Sequence, residues 1–456
     1  MKLSKGTARN IIIYSIANYL HTGINAVANI FVSNILGPVG NGIISYYNAI
    51  TTNVNQVVFG TFRSAVEREV PQIEDYQGKK HYAQQSFAIS FICALIVSIL
   101  FVVFGSISVD PTMRFCSYMV AVLSLVTCLS DFYRIWVKSL NRIPEVSIVM
   151  IITSLLIPVF AILFSYWFQL KGFWIGRIIL QAVTLVCFLY ASKEIFRLVP
   201  IEKDFLKKIF VSGGEIVLFG LFTTGITTMD RFFVKGVLGL EQLGYYAIGA
   251  MVFTMLMLVP TSITGAVYPK FVGMVSQDLK NQVKQYSIYI DIICLLVSYI
   301  VYFIIPFLIK WVMPGYLPSI PIIQVLLVAF VVYASTQLRY MDIIRKKRMK
   351  TLIVYSGIAF FLGIIIFFVI SKLSDNIIPF AWGTNTCFVF LAVGVNLAWG
   401  KIYYGKHHRG PLILIALCPV IALLPMFLTH NIILGLFISL AIFLAVYPLR
   451  LSIFKI

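Results

Sequence analysis

Apolar residues run along this chain in long, nearly unbroken blocks, divided by short polar segments that carry most of its charges. Fourteen blocks can be marked, at 11–36, 43–62, 86–109, 115–136, 146–168, 172–192, 211–234, 243–268, 286–309, 316–338, 351–371, 376–400, 411–429 and 431–449. Each approaches the ~20 residues an α-helix needs to cross ~30 Å of hydrocarbon. Such a layer offers the backbone no water, so blocks of this length without period-two alternation predict helices. The expected fold is an all-α polytopic membrane protein with about 14 transmembrane helices.

Polar positions inside the blocks are patterned as well. The first block carries Asn18, His21, Thr22, Asn25 and Asn29 at three- and four-residue steps, which places them on one helix face. The second carries Asn48, Thr51, Thr52, Asn55 and Gln56. Two readings of these stripes stand side by side: the lining of a water-filled cavity, or hydrogen bonds that hold helices together.

Composition agrees with the pattern. Of 456 residues, 60% are hydrophobic and 12% charged, with a mean hydropathy of +0.94, which excludes a water-soluble enzyme. The net charge of +19 would suit nucleic acid in a soluble protein, but here its distribution decides otherwise. With the amino terminus inside, loops on the inner side hold 29 basic residues and outer loops hold five. That asymmetry sets topology, predicts both termini in the cytoplasm, and leaves no nucleic-acid role. The first block follows a basic start but has no small-residue cleavage site, so it reads as a retained helix. The seven cysteines fall in or at the ends of apolar blocks without a C-x-x-C pair, so they read as packing residues.

No phosphate-binding loop, nucleophile elbow or H-E-x-x-H motif occurs, and no hydrophilic segment could house a catalytic domain. The reading is therefore a non-enzyme, without metal or cofactor, that moves a solute or lipid. An internal repeat supports it. FVSNILGPVGNG at 31–42 and FVKGVLGLEQLG at 233–244 share Phe, Val, Leu, Gly and Gly at an offset of 202, each at the outer end of an odd-numbered block. Blocks 1 and 7 run in the same direction, so the repeat is parallel, as in alternating-access transporters. The expected organisation is two pseudo-symmetric six-helix lobes, 1–200 and 201–400, around a central cavity, followed by a helix pair in 401–456.

LGPVGNG after block 1, MDRFFVKGVLGLEQLGYYAIGA across blocks 7 and 8, and PGYLPSIPIIQVLLVAF entering block 10 resemble the polysaccharide transporter branch of the multidrug/oligosaccharidyl-lipid/polysaccharide exporter superfamily. The resemblance covers essentially the whole chain. It implies a flippase in the bacterial cytoplasmic membrane that carries an undecaprenyl-diphosphate-linked oligosaccharide to the outer leaflet, for O-antigen, capsule or a related polymer. A polysaccharide polymerase and other assembly proteins are the implied partners, and an ion gradient or the membrane potential the driving force.

A lipid-linked sugar needs cations for its diphosphate and amides for its hydroxyls. Arg231 and Arg177 lie within blocks, where each costs about 2.5–3.5 kcal/mol on insertion scales, and their planar forks suit phosphate oxygens. Snorkelling to the interface is the other reading of both. Arg63, at the inner end of block 2, reads as a receiver of the diphosphate or as a topological anchor. His21, Asn25, Asn29, Asn48 and Asn55 complete the candidate substrate site. Glu215 and Asp230 are the candidate ion-coupling carboxylates, while Asp131 and Asp291 read as anchors at the inner interface. Pro260 interrupts block 8 as a hinge or a kink.

Three rivals differ in class. A multidrug antiporter of the same fold binds organic cations and favours carboxylates and aromatic faces. Block 1 has no carboxylate, and blocks 1–6 offer only Asp131 against Arg177. A lipid II flippase differs only in head group. An embedded polymerase or ligase needs larger outer loops than these.

Overall fold

A computed structural model describes residues 5–272, 276–346, 348–403 and 423. It is helical throughout, with no strand among the described residues. Among the described residues, nine helices are long and apolar enough to cross a membrane. Three of them, Ile13–Phe59, Ile143–Ser192 and Gly214–Gly265, each hold two of the predicted blocks, so the first twelve blocks all fall on helix. Blocks 13 and 14, and with them the predicted helix pair of 401–456, lie outside the described residues except for 401–403 and 423.

The chain divides into two compact units, Met1–Thr224 and Gly225–Ile456. The first contains α1 (Lys5–Val54), a π-helical turn at Asn55–Phe59, α2 (Gly60–Glu69), α3 (Tyr76–Ile107), α4 (Pro111–Ser139), α5 (Ile143–Pro158) and α6 (Phe164–Ser192). Local chemistry starts these helices: the Asp75 carboxylate accepts from the Gly78 N–H at 2.9 Å, and Asp110 accepts from Thr112 at 2.8 Å ahead of Pro111. Each such cap satisfies an orphan amide of a first turn. The helix α4 packs against both α3 and α6, and α1 packs against α5.

At the end of this unit that carries the basic loops, Phe87, Phe132, Tyr133 and Trp136 surround Phe196 at centroid distances of 5.2–5.8 Å. Phe196 belongs to the extended segment after α6, so this ring cluster pins the chain between α6 and α7 (Lys203–Leu256). Beside it Glu194 pairs with Lys80 at 2.8 Å and accepts from the Tyr76 hydroxyl at 2.9 Å. The Lys80 ammonium holds the Glu194 carboxyl below the usual carboxylate range.

The second unit takes the remainder of α7, then α8 (Leu258–Val272), α9 (Ser276–Val312), α10 (Ser319–Ala334), α11 (Gln337–Arg345), α12 (Met349–Leu373) and α13 (Ile377–Tyr403). Its centre is α10, buried on nearly every side and packed on α9 and α13. Asn385 of α13 clasps one rung of that helix: it donates to the Val325 carbonyl at 2.9 Å and accepts from the Ala329 N–H at 3.0 Å. The break between α7 and α8 falls at Met257, three residues before Pro260, which fits proline's place in a helix's first turn.

The two members of the sequence repeat behave alike. Gly37 (φ 67°, ψ 179°) and Gly239 (φ 85°, ψ −174°) are the positive-φ glycines among the described residues, each at a kink inside a helix of 50 residues or more. That conformation is essentially reserved to glycine and costs another residue about 1–3 kcal/mol. The 202-residue offset thus marks a backbone bend at the same point of α1 and α7. Gly239→Ala is expected to lower the thermal unfolding midpoint in detergent clearly, whereas Gly236→Ala, on ordinary helix with open space for a Cβ, leaves it unchanged. Equal midpoints would contradict the bend.

Candidate functional site

Within the first unit the polar stripe of α1 opens onto a cavity of about 350 Å³. Asn18, His21, Asn25 and Asn29 supply one wall over twelve residues of helix, a length of about 16 Å. Asn48 comes from the second arm of α1, Ser130, Asp131 and Arg134 from α4, Thr153 from α5, and Arg177, Gln181 and Thr184 from α6. The last three are spaced i, i+4, i+7 and so share one helix face.

Contacts fix several of these side chains. The His21 Nδ1 lies 2.9 Å from the Ser154 hydroxyl. Arg177 donates from Nη1 to the Asn48 Oδ1 at 2.6 Å, and its guanidinium lies 5.9 Å from the ring centroids of both Phe173 and Trp174. No carboxylate pairs with it among the described residues. Aromatic faces and one amide oxygen therefore stabilise this cation while leaving its formal charge uncancelled.

A second cationic group sits at the end carrying the basic loops. The Asp131 Oδ2 lies 3.1 Å from Arg63 Nη1, and its Oδ1 lies 3.0 Å from Arg134 Nη2. One carboxylate thus joins two arginines from α2 and α4, and the Arg63 guanidinium also lies over Phe59. Of the charged residues lining the cavity, two are arginines and one is an aspartate. The space is built for an anion or a polar neutral group, and it disfavours an organic cation.

The structure brings together five of the sequence-predicted site residues, His21, Asn25, Asn29, Asn48 and Arg177, around this cavity. Arg63 stands behind it, through Asp131. Asn55 opens the π-helical turn, half-buried and away from the lining. Glu215 is half-buried on α7 and makes no hydrogen bond or ion pair to a described residue. Asp230 and Arg231 belong to the second unit. The Asp230 carboxylate is buried and accepts from the Tyr246 hydroxyl at 2.8 Å, the Thr384 hydroxyl at 3.1 Å and the Arg231 backbone N–H at 2.8 Å. Arg231 is half-buried, and its Nε has no hydrogen-bond partner among the described residues.

Two readings change. Asp131 lines the cavity and bridges two arginines, so it does more than anchor an interface. Asp291 is fully buried in α9. Arg134, counted among inner basic residues by sequence, is a cavity residue. The signal for it was the Asp131/Arg134 pair one helical turn apart, in step with Ser130.

The opposite face of α1 is apolar. Ile16, Leu20, Val27 and Phe31 are exposed and, with Pro158 and Ile162, line a second groove of about 700 Å³. A single helix, about 10–12 Å across, thus separates a polar cavity from an apolar groove at the same level. In a background without native cysteines, Asn25→Cys is expected to react with a membrane-impermeant thiol reagent while Ser117→Cys, fully buried against Tyr47, stays protected. Equal protection of both would mean that the stripe is helix packing.

Comparison with known proteins follows this geometry. No curated protein matches the chain in sequence. Among solved structures, the lipid II flippase MurJ in an inward closed conformation is similar with a TM-score of 0.67 and 16% identity, covering 97% of this chain and 98% of that one. An inward-facing multidrug resistance MATE family transporter of the MOP superfamily is similar at 0.64 and 15%, covering 86% and 95%. A MOP superfamily transporter from Pyrococcus furiosus, described as having a binding pocket of reversed polarity, is similar at 0.54 and 15%, covering 88% and 96%. These likenesses establish the fold, the one that those structures share. The family model described as polysaccharide biosynthesis protein matches residues 7–275, more than half of the chain, and the chain belongs to that family.

Proposed function

We propose that this protein flips an undecaprenyl-diphosphate-linked oligosaccharide from the cytoplasmic to the outer leaflet of the bacterial inner membrane by alternating access, for O-antigen, capsule or a related surface polymer. The observation that carries this reading is the arginine-bearing, amide-lined cavity inside an apolar helix bundle. Membrane-embedded cations are costly and persist where they face a polar path or ligand. Arg177 offers a planar fork to phosphate oxygens, and Asn18, Asn25, Asn29 and Gln181 offer the paired donors and acceptors that sugar hydroxyls need.

The apolar groove behind α1 supports a lipid-linked substrate over a free sugar, because an isoprenoid tail needs an apolar surface beside the polar one. Polymerase and other assembly proteins are its proposed partners. Arg231, in the second unit, is proposed as a further substrate-binding cation, and Arg63 to receive the diphosphate at the cytoplasmic end. For energy coupling, Asp230 and Glu215 remain the proposed carboxylates. Asp230 is held by two hydroxyls and an amide, with no salt bridge to a basic side chain among the described residues, so its charge can answer to a proton or a small cation.

Arg177→Ala should abolish surface polymer while the protein stays inserted, and Arg177→Lys should not restore it, because an ammonium lacks the planar fork. Normal polymer in the alanine variant would remove the cavity from the transport path.

A further inference from the structure

The bridge between Arg63, Asp131 and Arg134 has an unusual feature for a structural ion pair. One carboxylate serves two guanidiniums, and the cluster keeps an excess of one positive charge. Neither arginine is fully used. Arg63 Nη2 and Arg134 Nε are buried and have no hydrogen-bond partner among the described residues. A carboxylate has two oxygens, and here each is committed to one arginine. A phosphate or diphosphate group presents more oxygens and more charge to the same donors, so it satisfies the pair better than Asp131 does. Asp131 and Arg134 both line the cavity, so an incoming anion reaches them directly.

We propose that Arg63 and Arg134 form a phosphate-binding station and that Asp131 is its built-in competitor, pairing with the arginines when the cavity is empty and yielding to the oxyanion when it is filled. This rests on the flippase reading above, and it adds a mechanism for release. Once displaced, the Asp131 carboxylate stays beside the bound anion and repels it. Return of the carboxylate to its arginines then offsets the loss of phosphate contacts. An arginine pair without such a competitor would hold a diphosphate firmly and turn over slowly. The second arginine of the cavity, Arg177, has no carboxylate partner among the described residues and lies on a different helix. The two stations therefore differ in kind, one self-competed and one open.

The test is binding and transport by the purified full-length protein in nanodiscs and proteoliposomes. Inorganic diphosphate and undecaprenyl diphosphate are the probes. Asp131→Asn removes the competitor and keeps the shape. It is expected to tighten inorganic diphosphate binding by about tenfold and to slow lipid translocation, since release loses its competitor. Asp131→Glu, which keeps the charge, should stay close to wild type in both.

A purely anchoring Asp131 gives the reverse outcome. Its loss would let the arginines drift, and diphosphate would bind more weakly or equally in Asp131→Asn; either result overturns the proposal. Should that variant fail to fold, Asp131→Ser removes the competing charge and leaves both arginines in place. It should likewise bind inorganic diphosphate more tightly than wild type, and equal or weaker binding would overturn the proposal. The lipid probe separates this claim from the flippase reading. If inorganic diphosphate binds more tightly in Asp131→Asn but undecaprenyl diphosphate does not compete for the site, the competitor role stands and the substrate assignment falls.

Discussion

A guanidinium inside hydrocarbon must be surrounded by something polar, polarisable or anionic, and Arg177 meets that requirement without a counter-ion among the described residues. Its partners are an amide oxygen from the second arm of α1 and two aromatic faces from its own helix. Satisfying it this way draws the second arm of α1 toward α6 and turns the polar stripe of the first arm inward. What results is a polar-lined cavity inside an apolar bundle, with no carboxylate paired to that charge among the described residues.

The rest of the first unit follows from that constraint. Because α1 turns Asn18, His21, Asn25 and Asn29 toward the cavity, its other face is left to Ile16, Leu20, Val27 and Phe31, which need hydrocarbon. A two-faced helix of this kind suits a molecule that is itself two-faced, with a charged head and an apolar tail. The second unit is organised differently: a buried α10 forms its centre, and its Asp230 is capped by hydroxyls. The bends at Gly37 and Gly239 show that both units nonetheless begin from the same local design.

Much of this was legible in the sequence, because the bilayer makes helix length and apolar content nearly deterministic. The first twelve blocks fall on helix, and the asparagine stripe of block 1 is the cavity wall. Pairing across helices was not legible. Arg134 lies one turn from Asp131 on the same helix, but Arg63 belongs to the basic count of the inner side, and nothing in its local sequence says that it converges on Asp131. That contact depends on α2 and α4 packing together, which sequence periodicity does not report. Asn55 shows the opposite failure: it extends the polar pattern of block 2, but it lies at the start of the π-helical turn and off the lining.

The most direct measurement is the leaflet distribution of undecaprenyl-diphosphate oligosaccharide in cells depleted of this protein. Accumulation of complete repeat units on the cytoplasmic face is the predicted result, and their composition would name the sugars carried. A normal distribution, accompanied by new sensitivity to cationic dyes, would contradict the flippase reading and assign the cavity to drug export.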